Sequence, residues 1–186
     1  MAHVQMQKKL EEMMAIPNGV EVTLEGHSIV VRGKLGTVQR RIGSLFINLR
    51  KDKNAVTLSS PSSLRKNKRM LYTTKSHISN MIYGVQHGYT YKLKMCAGHF
   101  PITAKVEGQY VTISNFLGEK IPRKSKILPH VAVTIDKDLI TVQSPDLEAA
   151  GQTAANLEQT TGVGKRDRRV FQDGCYIIEK PGRTFI

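Results

Sequence analysis

Tryptophan is absent from this 186-residue chain, cysteine occurs twice, and aromatic residues make up 6% of it. Two cysteines, Cys96 and Cys175, are too few for a disulfide-stapled scaffold. No Cys-x-x-Cys pair offers the spacing of a structural zinc site, and the cysteine usage fits a reducing compartment. No uninterrupted apolar run approaches the ~20 residues that a membrane span needs. Residues 1–14 carry Lys8, Lys9, Glu11 and Glu12 where a signal peptide would have an apolar core. Neither secretion nor a membrane role is therefore expected. The six histidines (His3, His27, His77, His87, His99 and His130) form no His-x-x-x-His pair and have no Glu at metal spacing. Gly33-x-x-Gly36 lacks the Gly-Lys-Ser/Thr of a phosphate loop, and Gly162-x-Gly164-Lys165-Arg166 follows a helical pattern rather than a strand. No catalytic constellation, metal site or cofactor is expected.

Acidic residues are the other shortage. Fifteen Asp and Glu face 28 Lys and Arg, a formal net charge of +13, and the isoelectric point is about 9.9. Such an excess predicts a polyanionic partner, because Lys and Arg gain affinity by displacing counterions from phosphates. Apolar residues are 40% of the chain, enough for a packed core. The charge is clustered. Residues 1–31 hold two Lys and four Glu, whereas residues 32–75 hold twelve Lys and Arg against Asp52 alone. Two further basic blocks lie at 120–126 and 165–186. Basic patches on an otherwise near-neutral body are the footprint of a nucleic-acid binder. The few aromatics do not suggest a base-stacking platform, since Tyr89, Tyr91 and Phe116 fall in strand-like runs that read as core. Recognition of folded RNA by shape and phosphate is the expectation.

The chain repeats itself. The segment Val22–Val31 returns in style as Ala104–Ile113, which aligns Glu25-Gly26 with Glu107-Gly108 and Leu35-Gly36 with Leu117-Gly118. Val56-Thr57-Leu58-Ser59-Ser60-Pro61 matches Ile140-Thr141-Val142-Gln143-Ser144-Pro145. Glu-Gly before a β-branched run reads as a hairpin turn, and Tyr89, Tyr91, Leu93 and Met95 alternate with polar residues as in a half-buried strand. Ile78, Met81, Ile82 and Val85 mark one helix face, with Thr74 or Ser76 as its cap and Gly84 or Gly88 as its end. Leu147, Ala150, Ala154 and Leu157 mark another, with Ser144 as cap and Pro145 in the first turn. The expected fold is α+β, with two duplicated modules, each an antiparallel sheet packed by one helix, and a basic C-terminal tail. The expected boundaries are 1–87, 88–164 and 165–186.

These residues resemble a known family. Ile16-Pro17-Asn18-Gly19-Val20, Val31-Arg32-Gly33, Ser76–Val85, Tyr91-Lys92, His99-Phe100-Pro101-Ile102, Asn115–Lys120 and Arg168–Tyr176 follow in order as they do in the universal large-subunit ribosomal protein six family, in its eukaryotic form, called protein nine in older 60S nomenclature. The resemblance runs from about residue 16 to 180. The Tyr-Lys-Gly-Lys-Gly tail of the bacterial branch is absent, and Cys175 stands where an aliphatic residue is expected. The resemblance implies a structural, non-enzymatic constituent of the large ribosomal subunit. It implies binding to large-subunit rRNA near the factor-binding region and the sarcin–ricin loop, mainly through the second module and the tail. The implied partners are rRNA, neighbouring ribosomal proteins and, at the factor-binding site, translation factors. The implied location is the cytoplasmic ribosome, with nucleolar assembly. A free-standing RNA-binding module or RNA chaperone with the same duplicated fold is the alternative.

Four groups of cations are the candidate rRNA contacts. Lys165, Arg166, Arg168 and Arg169 lie beside Gly162 and Gly164, which let backbone approach a phosphate, and arginine forks match phosphate oxygens. Lys120, Arg123, Lys124 and Lys126 form a stretch that Pro122 keeps extended, so that its side chains fan out. Arg32, Lys34, Arg40 and Arg41 occupy the matching part of the first copy. Arg65, Lys66, Lys68 and Arg69 are expected in a loop before the first helix. Asp167 and Asp173 are placed to orient neighbouring arginines.

Overall fold

The computed structural model describes residues 10–42, 47–52, 55–98, 100–164 and 166–184. It divides into two compact units, Met1–His87 and Gly88–Ile186. The first holds β1 (Leu10–Ala15), β2 (Glu21–Glu25), β3 (Ser28–Gly33), β4 (Gly36–Arg41), β5 (Asn48–Asp52), β6 (Ala55–Ser60) and α1 (Arg65–His87). The second holds β7 (Tyr89–Cys96), β8 (Thr103–Glu107), β9 (Tyr110–Ser114), a 3-10 turn (Phe116–Gly118), β10 (Arg123–Lys126), β11 (Ala132–Asp136), β12 (Leu139–Ser144), α2 (Leu147–Thr160), β13 (Gly174–Lys180) and β14 (Arg183–Thr184).

The duplication extends to strand order. In the first unit β2-β3-β4 form one antiparallel sheet and β1-β6-β5 another. In the second, β8-β9-β10 repeat the former, and β7-β12-β11 repeat the latter. Each copy thus carries two small sheets and one helix. The Glu-Gly pairs close two-residue hairpins as expected, since Glu25 pairs with Ser28 and Glu107 with Tyr110. Gly26 and Gly108 supply φ of +58° and +61° at those turns, a region costly for residues with a Cβ.

Each unit has its own core. In the first, Val22, Ile29, Val31, Val56 and Leu58 from the sheets meet Leu71, Ile78 and Val85 of α1. In the second, Leu93, Val111, Ile113, Ile140 and Val142 meet Ala154 and Leu157 of α2, with Phe116 beside them. Tyr89, Leu93 and Met95 of the alternating strand are buried and Tyr91 is half-buried, while Ile78, Met81, Ile82 and Val85 of α1 and Ala150, Ala154 and Leu157 of α2 are buried, with Leu147 half-buried.

Three boundaries differ from the sequence reading. Residues 65–69 are the first turns of α1 and not a loop before it. The Ser62 hydroxyl accepts from the Leu64 amide at 3.3 Å, and the Leu64 carbonyl accepts from Lys68 N–H at 2.9 Å. The buried stripe continues back through Thr74, Leu71 and Asn67, and apolar counting misses a stripe whose members are partly polar. The cap of α2 is Asp146, whose carboxylate accepts from Glu148 N–H at 3.0 Å, two residues beyond the expected Ser144. Ser144 Oγ instead donates to the His130 carbonyl and accepts from Asp146 N–H. The stretch expected as a basic tail also contains β13, which pairs antiparallel with β7 inside a five-stranded sheet, order β11-β12-β7-β13-β14. Its Cys175 is fully buried in the second core, so burial of apolar side chains ties this segment down.

Candidate nucleic-acid interface

The basic stretch at 120–126 is sorted by strand alternation. β10 pairs with β9, with Arg123 opposite Ile113 and Lys126 opposite Tyr110. Successive side chains of a strand point to opposite faces. Ser125 is buried and Arg123 half-buried, whereas Lys124 and Lys126 are exposed on the other face. Arg123 is bound inward. Its Nε donates to Glu119 Oε2 at 2.7 Å and its Nη2 to Glu119 Oε1. Its Nη1 donates to the carbonyls of Thr160 (2.8 Å) and Gly162 (3.1 Å). The guanidinium carbon lies 4.3 Å from the centre of the buried Phe116 ring. The Arg123 hydrogen bond holds the Glu119 carboxyl below its ordinary pKa, with Arg166 adding a smaller pull. The expectation that all four cations of this stretch fan outward therefore fails at Arg123, because a strand sends alternate residues inward. The Arg-Lys-Ser-Lys period and a Glu four residues upstream are the sequence signals for this.

Arg123 also fixes the start of the next basic segment. It ties β10 to the end of α2, and the chain then runs from Gly162 to Asp173 as an anchored loop. Thr161 Oγ1 accepts from Cys175 N–H at 2.9 Å and so closes the loop near its base. Asp173 is buried and accepts from Gly98 N–H at 2.6 Å. Inside the loop, Asp167 organises a turn. Its carbonyl accepts from the amides of Val170 (3.1 Å) and Phe171 (2.9 Å), and its carboxylate accepts from Arg169 N–H (2.9 Å) and Nη2 (2.9 Å). The bonds to its carboxylate lower the Asp167 carboxyl below its ordinary pKa. The Arg166 guanidinium lies 4.9 Å from the centre of the Phe171 ring. Arg166, Arg168 and Arg169 are exposed on this loop. Lys165 lies outside the described residues. Two basic blocks about forty residues apart in sequence are thus joined through Glu119 and Arg123. Sequence alone does not mark Glu119, Phe116 and Phe171 as parts of this site, because their role depends on pairing across that separation.

In the first unit the cations are dispersed. Arg32 is exposed on β3, opposite Glu21 of β2 in the strand register. Lys34 sits in the two-residue turn between the paired Gly33 and Gly36. Arg40 Nη2 is 3.2 Å from His77 Nε2 of α1, while its neighbour Arg41 is exposed. Arg65, Lys66, Lys68 and Arg69 lie on the first turns of α1, which carry no acidic residue. Arg65, Lys66, Lys68 and Arg69 are all exposed there. Cations at a helix start oppose its dipole, and an anion bound there relieves that repulsion. His77 serves α1 as a packing and hydrogen-bonding residue.

Among the described residues no group of three or more His, Cys, Asp or Glu is placed to hold a metal, and no helix is long and apolar enough to cross a membrane. The half-buried Cys96 and the buried Cys175 are both free thiols, and burial pushes Cys175 up to about 11, so it stays protonated at neutral pH.

A family model described as Ribosomal protein L6 matches residues 16–88 and again residues 100–174. The Large ribosomal subunit protein uL6 of Methanosphaera stadtmanae is 44% identical over 172 residues, covering 92% of this chain and 94% of that protein. The protein of the same name from Methanobrevibacter smithii is 42% identical over 171 residues, covering 92% and 96%. That of Haloarcula marismortui is 42% identical over 170 residues, covering 91% and 96%.

Proposed function

The chain belongs to the Ribosomal protein L6 family, and we propose on that basis that it is a structural constituent of the large ribosomal subunit that binds large-subunit rRNA. The observation that carries the reading is the double match of the family model, one per module, together with relatives that align over nine-tenths of the chain. The family is one of structural ribosomal proteins, so the chain is not an enzyme. We read it as the eukaryotic form, acting in cytoplasmic ribosomes and assembled in the nucleolus. Its site on the subunit is then near the factor-binding region and the sarcin–ricin loop, within reach of translation factors.

The anchored loop at 162–173 and the outer face of β10 are the main contact in this reading. Lys124 and Lys126 stand on one exposed strand face, with Lys120 just upstream and Arg166, Arg168 and Arg169 on the loop that Arg123 pins. A loop held at both ends loses little further entropy on binding, which favours a persistent complex. Arg32, Lys34, Arg40, Arg41 and the cations at the start of α1 supply a second, more diffuse phosphate contact. Arg123 itself belongs to the support beneath the interface.

Sucrose-gradient sedimentation of a tagged copy, at low and then at about 0.5 M salt where purely electrostatic RNA contacts weaken steeply, tests the function. Retention in large-subunit and polysome fractions at both salts is expected. A copy that stays at the top of the gradient refutes the ribosomal reading in favour of a free RNA-binding module. Replacing Arg166, Arg168 and Arg169 by Ala tests the interface. The logarithmic salt slope of RNA binding then falls by about 0.7–0.9 for each phosphate no longer neutralised, and an unchanged slope removes the loop from the interface.

A further inference from the structure

We infer that the free edge of β1 is a docking site for a β-strand of a neighbouring protein of the large subunit, an inference that rests on the ribosomal reading above. The duplication makes the case. The sheet order β11-β12-β7 repeats β5-β6-β1, but in the second unit β13 continues beyond β7. Among the described residues nothing pairs with the corresponding side of β1. Among the described residues the chain thus fills this edge with its own strand in one copy and leaves it open in the other. An unpaired edge offers a row of backbone donors and acceptors to any extended segment.

The surroundings specify the occupant. The pairing of β1 with β6 and of β7 with β12 sets Met13 at the place of Lys92, and Glu11 at the place of Thr90. In the second unit Lys92 forms a 2.7 Å cross-strand ion pair with Glu179 of β13. The corresponding Met13 is 68% exposed, an unbranched apolar side chain with no cover. Glu11 is exposed on the same face of β1, since strand residues two apart share a face.

The other face is already occupied, because Glu12 accepts from Tyr72 Oη at 2.9 Å and from Lys75 Nζ at 2.8 Å. In the first unit the helix thus holds β1 through polar side chains. The fitting partner is an antiparallel strand with an apolar residue over Met13 and a Lys or Arg opposite Glu11. Nucleic acid does not fit, since a strand edge offers no cation to phosphate and Glu11 repels it.

A photoreactive diazirine side chain in place of Met13, in tagged protein carried into native large subunits, tests this. A second sample carries the same group in place of Ile121, which is 82% exposed between Lys120 and the β10 lysines. The expected result is a Met13 crosslink to an extended, basic segment of another protein and an Ile121 crosslink to rRNA. Glu11→Lys should lower the Met13 crosslink roughly fivefold, about what reversing one cross-strand charge pair is worth, and leave the Ile121 crosslink unchanged. A Met13 crosslink to rRNA, to residues 1–9 of the same chain, or to nothing overturns the inference while the Ile121 result upholds the ribosomal reading. Failure of both samples to enter the large subunit overturns both.

Discussion

Replacing Arg123 by Ala separates support from contact at the interface. Its guanidinium donates to two backbone carbonyls and sits over the buried Phe116 ring. Hydrogen bonds from a charged donor contribute about 1.5 kcal/mol each, and a cation over a buried ring about 1 kcal/mol. The Glu119 pair, 40% exposed on the carboxylate side, adds at most about 0.5 kcal/mol. Partial rehydration of the half-buried Thr160 and Gly162 carbonyls reduces the loss, leaving about 2–3 kcal/mol. In a folding unit of this size each kcal/mol moves the midpoint by about 4–8 °C, so thermal denaturation should show a drop of roughly 10–20 °C. The salt slope of RNA binding, measured well below the new midpoint, should not change. Lys124→Ala with Lys126→Ala should do the reverse, leaving the midpoint nearly unmoved and lowering the slope by about 1.5. Arg123→Lys keeps the charge and loses the planar fork, and should recover little of the stability. An Arg123→Ala protein that melts within about 3 °C of the parent, and whose slope falls by about 0.8 as if one phosphate had been given up, would refute the assignment.

Three further outcomes are expected. In native protein a thiol reagent should modify the half-buried Cys96 readily and Cys175 only after denaturation, because burial pushes the Cys175 thiol up to about 11. With its folded pKa above the unfolded value, Cys175 contributes stability that is fully present below about pH 8.5 and lost as pH rises towards about 11. Midpoints measured from about pH 8 to about pH 11 should therefore fall more steeply for the parent than for Cys175→Ala, and parallel curves would contradict this. Gly33→Ala should destabilise the first unit by about 1–3 kcal/mol through overpacking, since a Cβ there would lie 2.7–2.9 Å from the side chain and carbonyl of Val85. Chemical denaturation followed by a probe in each unit should show the second unit unaffected.

Periodicity exposed much of the fold. The Glu-Gly hairpins, the Ile78–Val85 face and the alternating β7 are local patterns, and each takes the structure its period requires. The start of α1 was less legible, because its stripe includes Asn67 and Thr74, which score as polar yet pack inward. Ser144, Pro145 and Asp146 all carry capping or turn chemistry, and only the path of the chain selects Asp146 as the cap of α2. The strand within the C-terminal segment was hidden by the arginines before it. Its apolar run is short, and it becomes a strand because β7 offers an edge to pair with.

Composition and internal repetition suffice to predict a polyanionic partner and a chain built twice from one α+β unit. Net charge and hydrophobic period are sums over residue types, and they survive whatever the chain does in space. Which cations face outward is set only by packing in three dimensions. Arg123 turns inward because its strand alternates and because Glu119, Thr160 and Gly162 converge on it. Arg169 is aimed by Asp167, and among the described residues β1 is left unpaired on the side where β7 is covered. These facts depend on groups brought together from separate elements of the chain, and no residue's own propensity carries that information.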